Sequence, residues 1–252
     1  MTTMRKIALI TGASSGIGEA TARKLAASSW DLILAARRYE RLQKLAAQLK
    51  CDWHLIRLDV RQRSAVEEAI ANLPERWKQI DLLVNNAGLS RHLLKVHEGD
   101  PEAWDEMIDT NVKGLLYVSR AVLPGMVSRG RGHVINVGSI AGHEVYPSGN
   151  VYCASKFAVD ALTKGMMMDL VDTPIRVSTV DPGLVETEFS MVRYYGDTQR
   201  AEKVYQGLTP LTGDDVAETI EWIASRPDHV QIAQVVIFPK SQAGAMVVHR
   251  KQ

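Results

Sequence analysis

Short apolar runs alternate with longer amphipathic stretches almost from end to end of this chain of 252 residues, and that alternation limits its fold more than any other feature. The runs are Lys6–Ile10, Leu32–Ala35, Trp53–Leu58, Leu82–Val84, His133–Val137, Arg176–Val180 and Val235–Phe238. They lack strict apolar–polar alternation, as strands do when helices cover both faces of a parallel sheet. Between them, Gly16–Ser28 spaces Ile17, Ala20, Thr21, Lys24 and Leu25 as one helical face, and Arg41–Leu49 does the same with Leu42, Leu45, Ala46 and Leu49. Ser64–Asn72, Trp104–Arg129, Val151–Leu170 and Asp214–Ala224 read as further helices. The expected fold class is α/β, a doubly wound parallel sheet of about seven strands flanked by helices and joined by right-handed crossovers. No linker, low-complexity tract or repeat divides the chain, so residues 1–252 are expected to form a single domain. Its one irregular stretch, residues 186–211, is the expected substrate loop.

The first strand runs into Thr11-Gly12-Ala13-Ser14-Ser15-Gly16-Ile17-Gly18, which opens the first helix. Glycines let such a turn bend tightly and approach a pyrophosphate, while the helix start offers free N–H groups and a partial positive charge. The spacing is Gly-x-x-x-Gly-x-Gly rather than Gly-x-Gly-x-x-Gly, and a turn without a ligand is the alternative. In the strand–turn–helix context a dinucleotide is expected, and the fold is then of the Rossmann type. The second strand ends in Arg37-Arg38, where an NAD site usually holds an acidic residue for the ribose 2′-hydroxyl. A guanidinium there pairs with the 2′-phosphate of NADP instead. Asp59, with Val60, closes the third strand where it can frame the adenine, and Asn85-Asn86-Ala87-Gly88 closes the fourth.

Tyr152 and Lys156 stand one helical turn apart, and Ser139 ends the strand before them. A tyrosine oxygen can exchange the proton of an alcohol, but an unperturbed phenol is too weak an acid for work at neutral pH. A nearby lysine ammonium is expected to lower that pKa while the serine hydroxyl orients the substrate oxygen. Taken alone, a Tyr-x-x-x-Lys pair is a common accident of surface or packing.

In order along the chain, Thr11–Gly18, Asp59, Asn85–Gly88, Asn111, Ser139, Tyr152–Lys156 and Pro182-Gly183 make it resemble the short-chain dehydrogenase/reductase family over essentially its whole length. The resemblance implies Tyr152 as general acid/base and Lys156 as its activator and the holder of the nicotinamide ribose. It implies Ser139 on the substrate oxygen and Asn111 as the anchor of a water linking Lys156 to solvent. Gly12, Ser14, Ser15, Gly16, Ile17, Gly18, Asn85, Ala87, Pro182, Gly183, Val185 and Thr187 would contact the cofactor. A narrower resemblance lies in Asp105–Asn111, Pro182–Ser190 and Val192-Arg193-Tyr194, which are similar to the NADP-dependent 3-hydroxy acid dehydrogenases as a group. It implies oxidation of serine, allo-threonine or 3-hydroxypropionate-type substrates, reduction of matching semialdehydes, and a homotetramer built around the two long helices.

A 3-hydroxy acid carries a carboxylate, and burying that charge demands a cationic partner. Arg193, in the irregular stretch, is the candidate. His143 and Tyr146 follow the Ser139 loop and can approach the substrate, a surface-packed histidine being the alternative for His143. A carbonyl reductase for ketones lacking a carboxylate, or a non-catalytic NADP sensor, are the competing readings. The histidines show no metal-ligand spacing, so no metal is expected. Cys153 reads as a packing residue, Met166-Met167-Met168 as core or subunit contact, and Trp104 and Trp222 as core. A net charge of +1 suggests neither nucleic acid nor an anionic membrane as partner. Two cysteines without a Cys-x-x-Cys pair, no signal-like N-terminus and no membrane-length apolar run lead to an expectation of the cytoplasm.

Overall fold

A computed structural model describes residues 5–251. The chain runs β1 (Lys6–Thr11), α1 (Gly16–Ala27), β2 (Trp30–Ala36), α2 (Tyr39–Ala46), β3 (Trp53–Arg57), α3 (Arg63–Ala71), β4 (Ile80–Asn85), α4 (Pro101–Ile108), α5 (Leu115–Arg129), β5 (Gly132–Val137), α6 (Asn150–Asp169) and β6 (Ile175–Pro182). It continues through α7 (Phe189–Arg193), α8 (Thr198–Lys203), α9 (Gly213–Ala224) and β7 (Gln234–Ile237). The strands form one seven-stranded sheet in the order β3-β2-β1-β4-β5-β6-β7, with every pairing parallel. The order reverses between β1 and β4, and a crevice opens there beyond the strands' carboxyl ends.

The apolar runs lack alternation because both sheet faces are covered. Ala8, Ile10, Leu32 and Leu34 pack under α1 and α9, whereas their neighbours Ile7, Leu9 and Ile33 pack into the opposite core with Val66, Val118 and Met126. A fully buried leucine contributes roughly 1.5–3 kcal/mol of transfer free energy, so both layers stabilise the sheet.

The expected helix Trp104–Arg129 is helical throughout but not regular. A π-helical turn, Asp109–Gly114, separates α4 from α5. Such a turn inserts a residue and rotates the helix beyond it, and here it holds the Asn111 side chain against the backbone of Leu89. Gly114 admits Val60 at close range: a Cβ there would lie 2.6 Å from Val60 Cγ2. The stretch 186–211 is more ordered than expected, since it contains α7 and α8. Trp222 is not a core residue. It is exposed on α9, with the Arg226 guanidinium 5.0 Å from its ring centre. Trp104 is half-buried beneath Gly99. No helix among the described residues is long and apolar enough to cross a membrane.

Gly18 lies where α1 passes the end of β4, and an added Cβ would strike the Asn86 amide and come within 2.5 Å of the Gly12 carbonyl oxygen. Gly18→Ala is therefore expected to destabilise the fold by about 1–3 kcal/mol, as overpacking does. Denaturant unfolding of the two proteins measures the difference, and an unchanged midpoint would contradict this packing.

Candidate active site

The glycine turn is fastened to β4 before any ligand arrives. Thr11 Oγ1 accepts the amides of Asn86 and Ala87, both at 3.0 Å, and Asn86 Nδ2 donates to the Thr11 carbonyl at 2.8 Å. The crossing is so close that a Cβ on Gly12 would lie 2.9 Å from Ala87 Cα, and Gly12 and Gly16 have φ of +66° and +56°. Both positions favour glycine. At the start of α1 the Ser15 side chain makes no cap, so the first helical amides are left for an anion.

One cavity of about 440 Å³ runs from this turn across the carboxyl ends of the strands to α7. Gly12, Ser14, Ser15, Gly16, Ile17, Arg37, Arg38, Asp59, Val60 and Ala87 line its first half, and Pro182, Gly183, Val185 and Thr187 border it from β6. Two expected contacts are set apart. Gly18 is buried behind the turn, and Asn85 points into the core, donating to Ser119 Oγ and Asn136 Oδ1, both at 2.9 Å. The neighbouring Asn86 lines the cavity instead. A strand's side chains alternate sides, so one register step separates a core residue from a cavity residue.

Arg38 spans the cleft. Its Nη2 donates to Ser15 Oγ at 2.5 Å, its Nε to Ser14 Oγ at 3.3 Å, and its Nη1 to Glu188 at 3.0 Å. Arg41 meets the same carboxylate at 2.7 Å. Together they hold the Glu188 carboxyl below its usual range against the opposing effect of burial. Arg37 is half exposed and 3.7 Å from Glu106. Burial pushes the Asp59 carboxyl up, but hydrogen bonds from Arg61 prevail and leave it below the usual carboxylate range.

Ser139, Tyr152, Lys156 and Arg193 meet at the other end of the cavity. Ser139 follows β5 and its Oγ accepts the Ala141 amide at 3.1 Å. On α6 the buried Tyr152 lines the cavity with Ser139, and the buried Lys156 donates from Nζ to the Val137 carbonyl at 2.8 Å. Burial pushes Lys156 down to about 8. Burial pushes the Tyr152 phenol up, and the opposing influences are the Arg193 charge and the Ser139 hydrogen bond. Lys156 Nζ is directed to the Val137 carbonyl, and the Arg193 charge also acts on the phenol.

The Arg193 guanidinium lies 5.4 Å from the Tyr152 ring centre and 5.1 Å from that of Phe189. Its Nε is buried without a partner, and among the described residues the guanidinium forms no hydrogen bond or ion pair. The backbone around it is tethered instead. Arg91 Nη1 donates to the Val192 carbonyl at 2.7 Å, the His92 amide donates to the Arg193 carbonyl at 3.0 Å, and Arg91 is itself paired with Glu106 at 2.6 Å. Sequence reasoning missed Arg91, which lies in no motif, and gave no role to Glu106, which lies within the Asp105–Asn111 segment.

His143 is not a substrate contact in this arrangement. It does not border the cavity; its Nε2 turns to Asp181 Oδ2 at 2.8 Å. Tyr146 does border it, half-buried and with its phenol pushed up by burial. Asn111 lies behind Lys156 with its side chain committed: Nδ2 donates to the Leu89 carbonyl at 2.8 Å and to Ser155 Oγ at 3.0 Å, and Oδ1 accepts the Leu89 amide at 2.8 Å.

Residues 6–196 match the family described as short chain dehydrogenase. An NADP-dependent 3-hydroxy acid dehydrogenase of Salmonella typhi is 48% identical over 246 residues, which are 97% of this chain and 99% of the relative. A serine 3-dehydrogenase of Rhizobium radiobacter is 40% identical over 237 residues, 94% of this chain and 95% of the relative. Among solved structures, the closed form of a serine dehydrogenase complexed with NADP+ is 45% identical, with a TM-score of 0.93 over 98% of this chain and 100% of the other.

Because the Arg193 charge pulls the Tyr152 phenol down against burial, Arg193→Ala should move that phenol further up. Ultraviolet titration of tyrosinate, with Tyr152→Phe to identify the signal, measures it. A downward or absent shift would remove Arg193 from the electrostatics of the site.

Proposed function

The chain belongs to the short chain dehydrogenase family, and we propose that it moves a hydride between NADP and the 3-hydroxyl carbon of a short 3-hydroxy acid, of the serine, allo-threonine or 3-hydroxypropionate kind, or reduces the matching semialdehyde. The observation that carries the substrate class is Arg193. A cation with a buried, unpartnered Nε beside the candidate acid–base tyrosine is costly unless an anion completes it. A carboxylate close to the reacting hydroxyl supplies that anion, and the relatives' names agree in substrate type.

The residues at the turn suit a phosphorylated dinucleotide. The uncapped helix start and the glycine cradle suit the pyrophosphate, and Arg37 and Arg38 suit a 2′-phosphate. NADP, when bound, supplies the hydride acceptor or donor at its nicotinamide ring. In oxidation Ser139 orients the substrate hydroxyl and Tyr152 Oη removes its proton; in reduction Tyr152 returns it. Lys156, as an ammonium, holds the ribose and favours the phenolate. The proton then leaves through Lys156 and a water anchored at Asn111, whose side chain is held in place by Leu89 and Ser155. Arg193 clamps the carboxylate and shares its field with Tyr152, so substrate binding and acid–base strength meet in one residue. Residues 186–211, with α7 and α8, form the substrate loop of a single-domain enzyme.

We read the assembly as a homotetramer that joins through α5 and α6, where Leu116, Val127, Phe157 and Met168 are exposed. The cytoplasm suits the free thiols of Cys51 and Cys153.

Arg193→Ala is expected to cost about 2–4 kcal/mol of transition-state binding, roughly 30- to 1000-fold in kcat/KM, for serine or 3-hydroxypropionate. A neutral alcohol or ketone of the same length should lose far less. Equal losses across such a panel would favour the carbonyl-reductase reading. Arg37→Ala combined with Arg38→Ala should raise KM for NADP by about tenfold or more and leave that for NAD nearly unchanged. Parallel changes with both cofactors would overturn the 2′-phosphate assignment.

A further inference from the structure

The carboxylate of Asp181 has no part in the chemistry above, yet it lies directly behind it. Asp181 precedes Pro182-Gly183 near the end of β6 and is only 2% exposed. Its Oδ1 accepts from Thr179 Oγ1 at 2.7 Å, and its Oδ2 accepts from Gln234 Nε2 at 2.6 Å and faces His143 Nε2 at 2.8 Å. The loop above it is shaped to admit it. Gly138 stands between Val137 and Ser139, and a Cβ there would collide with Asp181 Oδ1 and come within 2.9 Å of Thr179 Oγ1. The carboxylate thus lies under the loop whose Val137 carbonyl holds Lys156 and whose Ser139 meets Tyr152.

Lys156 is a buried cation, and such a charge needs a counter-charge or it loses its proton. The charged and titratable groups around it come from each surrounding element. On α6 they are Tyr152, and Asp160 one turn on, which is already paired with Lys164 at 2.7 Å. The loop after Ser139 contributes His143, β6 contributes Asp181, and α7 contributes Arg193 over the Tyr152 ring. The segment after β4 and the π turn present Gly88 and the neutral Asn111. Burial drives Lys156 down to about 8, and Asp181 is the one charge that acts in the opposite sense.

We propose that Asp181 is the counter-charge of Lys156, a positioning residue that keeps Nζ an ammonium without touching substrate or cofactor. Thr179, Gln234 and His143 hold its carboxylate in place, and Gly138 makes room for it. The role of His143 is then to orient Asp181. The inference rests on the activating role of Lys156 proposed above.

The test is the pH dependence of kcat/KM for NADP-linked oxidation by the wild type, Asp181→Asn and Lys156→Met, with Tm recorded at each pH. Activity needs the ammonium, so it falls as pH rises through the Lys156 pKa. In Asp181→Asn that descending limb should move toward acid by about one pH unit. Nuclear magnetic resonance of 13C-labelled lysine, with the Lys156 signal identified by its loss in Lys156→Met, should show the same shift without reference to turnover. Asp181→Ser serves both measurements if the asparagine variant does not fold. A loss of activity by one factor at every pH, with the Lys156 signal titrating as in the wild type, overturns the role of Asp181 alone. Full activity in Lys156→Met overturns the reading of Lys156 and this inference with it.

Discussion

The site depends on the contact between the end of β1 and the end of β4. Thr11 Oγ1 accepts two successive amides from the β4 exit while the Asn86 amide group donates back to the Thr11 and Gly12 carbonyls. These bonds fix the separation of two parallel strands whose following connections pass to opposite faces of the sheet, and the crevice between those connections is where a dinucleotide fits. Gly12 and Gly18 keep this junction tight, since neither tolerates a Cβ against its neighbour. The glycine pattern therefore serves strand packing at two of its positions as much as it serves a ligand.

At the reacting end, burial makes charges act strongly on one another. Arg193, Lys156 and Asp181 are each partly or wholly withdrawn from water. In such surroundings the effective dielectric is lower and each charge is felt further away. Arg193 acts on the phenol and Asp181 on the lysine, each against the effect of burial.

The segment that supplies Arg193 is short and is kept in place by neighbours from distant parts of the chain. Arg91 ties the Val192 carbonyl to Glu106 on α4, and Glu188 is held by Arg38 and Arg41 across the cofactor cleft. The exposed members of these pairs contribute little stability each. Their value lies in geometry: the Arg193 end of α7 is connected to both the phosphate end and the β4 loop, so the two halves of the cavity share one wall.

Most of the fold was legible in the sequence, because two-sided burial imposes apolar runs of strand length and helices between them, and local spacing records both. The glycine turn, Arg37-Arg38, Ser139, Tyr152 and Lys156 were legible for a similar reason, since each sits at a strand end or on one helical turn. Other features were not. His143 turned away from the cavity, Asn85 faced the core and Asn86 the crevice, and Trp222 proved exposed, because each outcome depends on register and on residues far along the chain. The π turn at Asn111 arises from its bonds to Leu89, which no helical periodicity encodes. The pairing of Asp181 with Gly138, the tether from Arg91 and the open guanidinium of Arg193 were likewise decided by tertiary structure. Sequence alone determined which chemistry the chain carries, through short-range patterns. Packing decided which charge acts on which group, because electrostatic influence follows distance and burial in space rather than spacing along the chain.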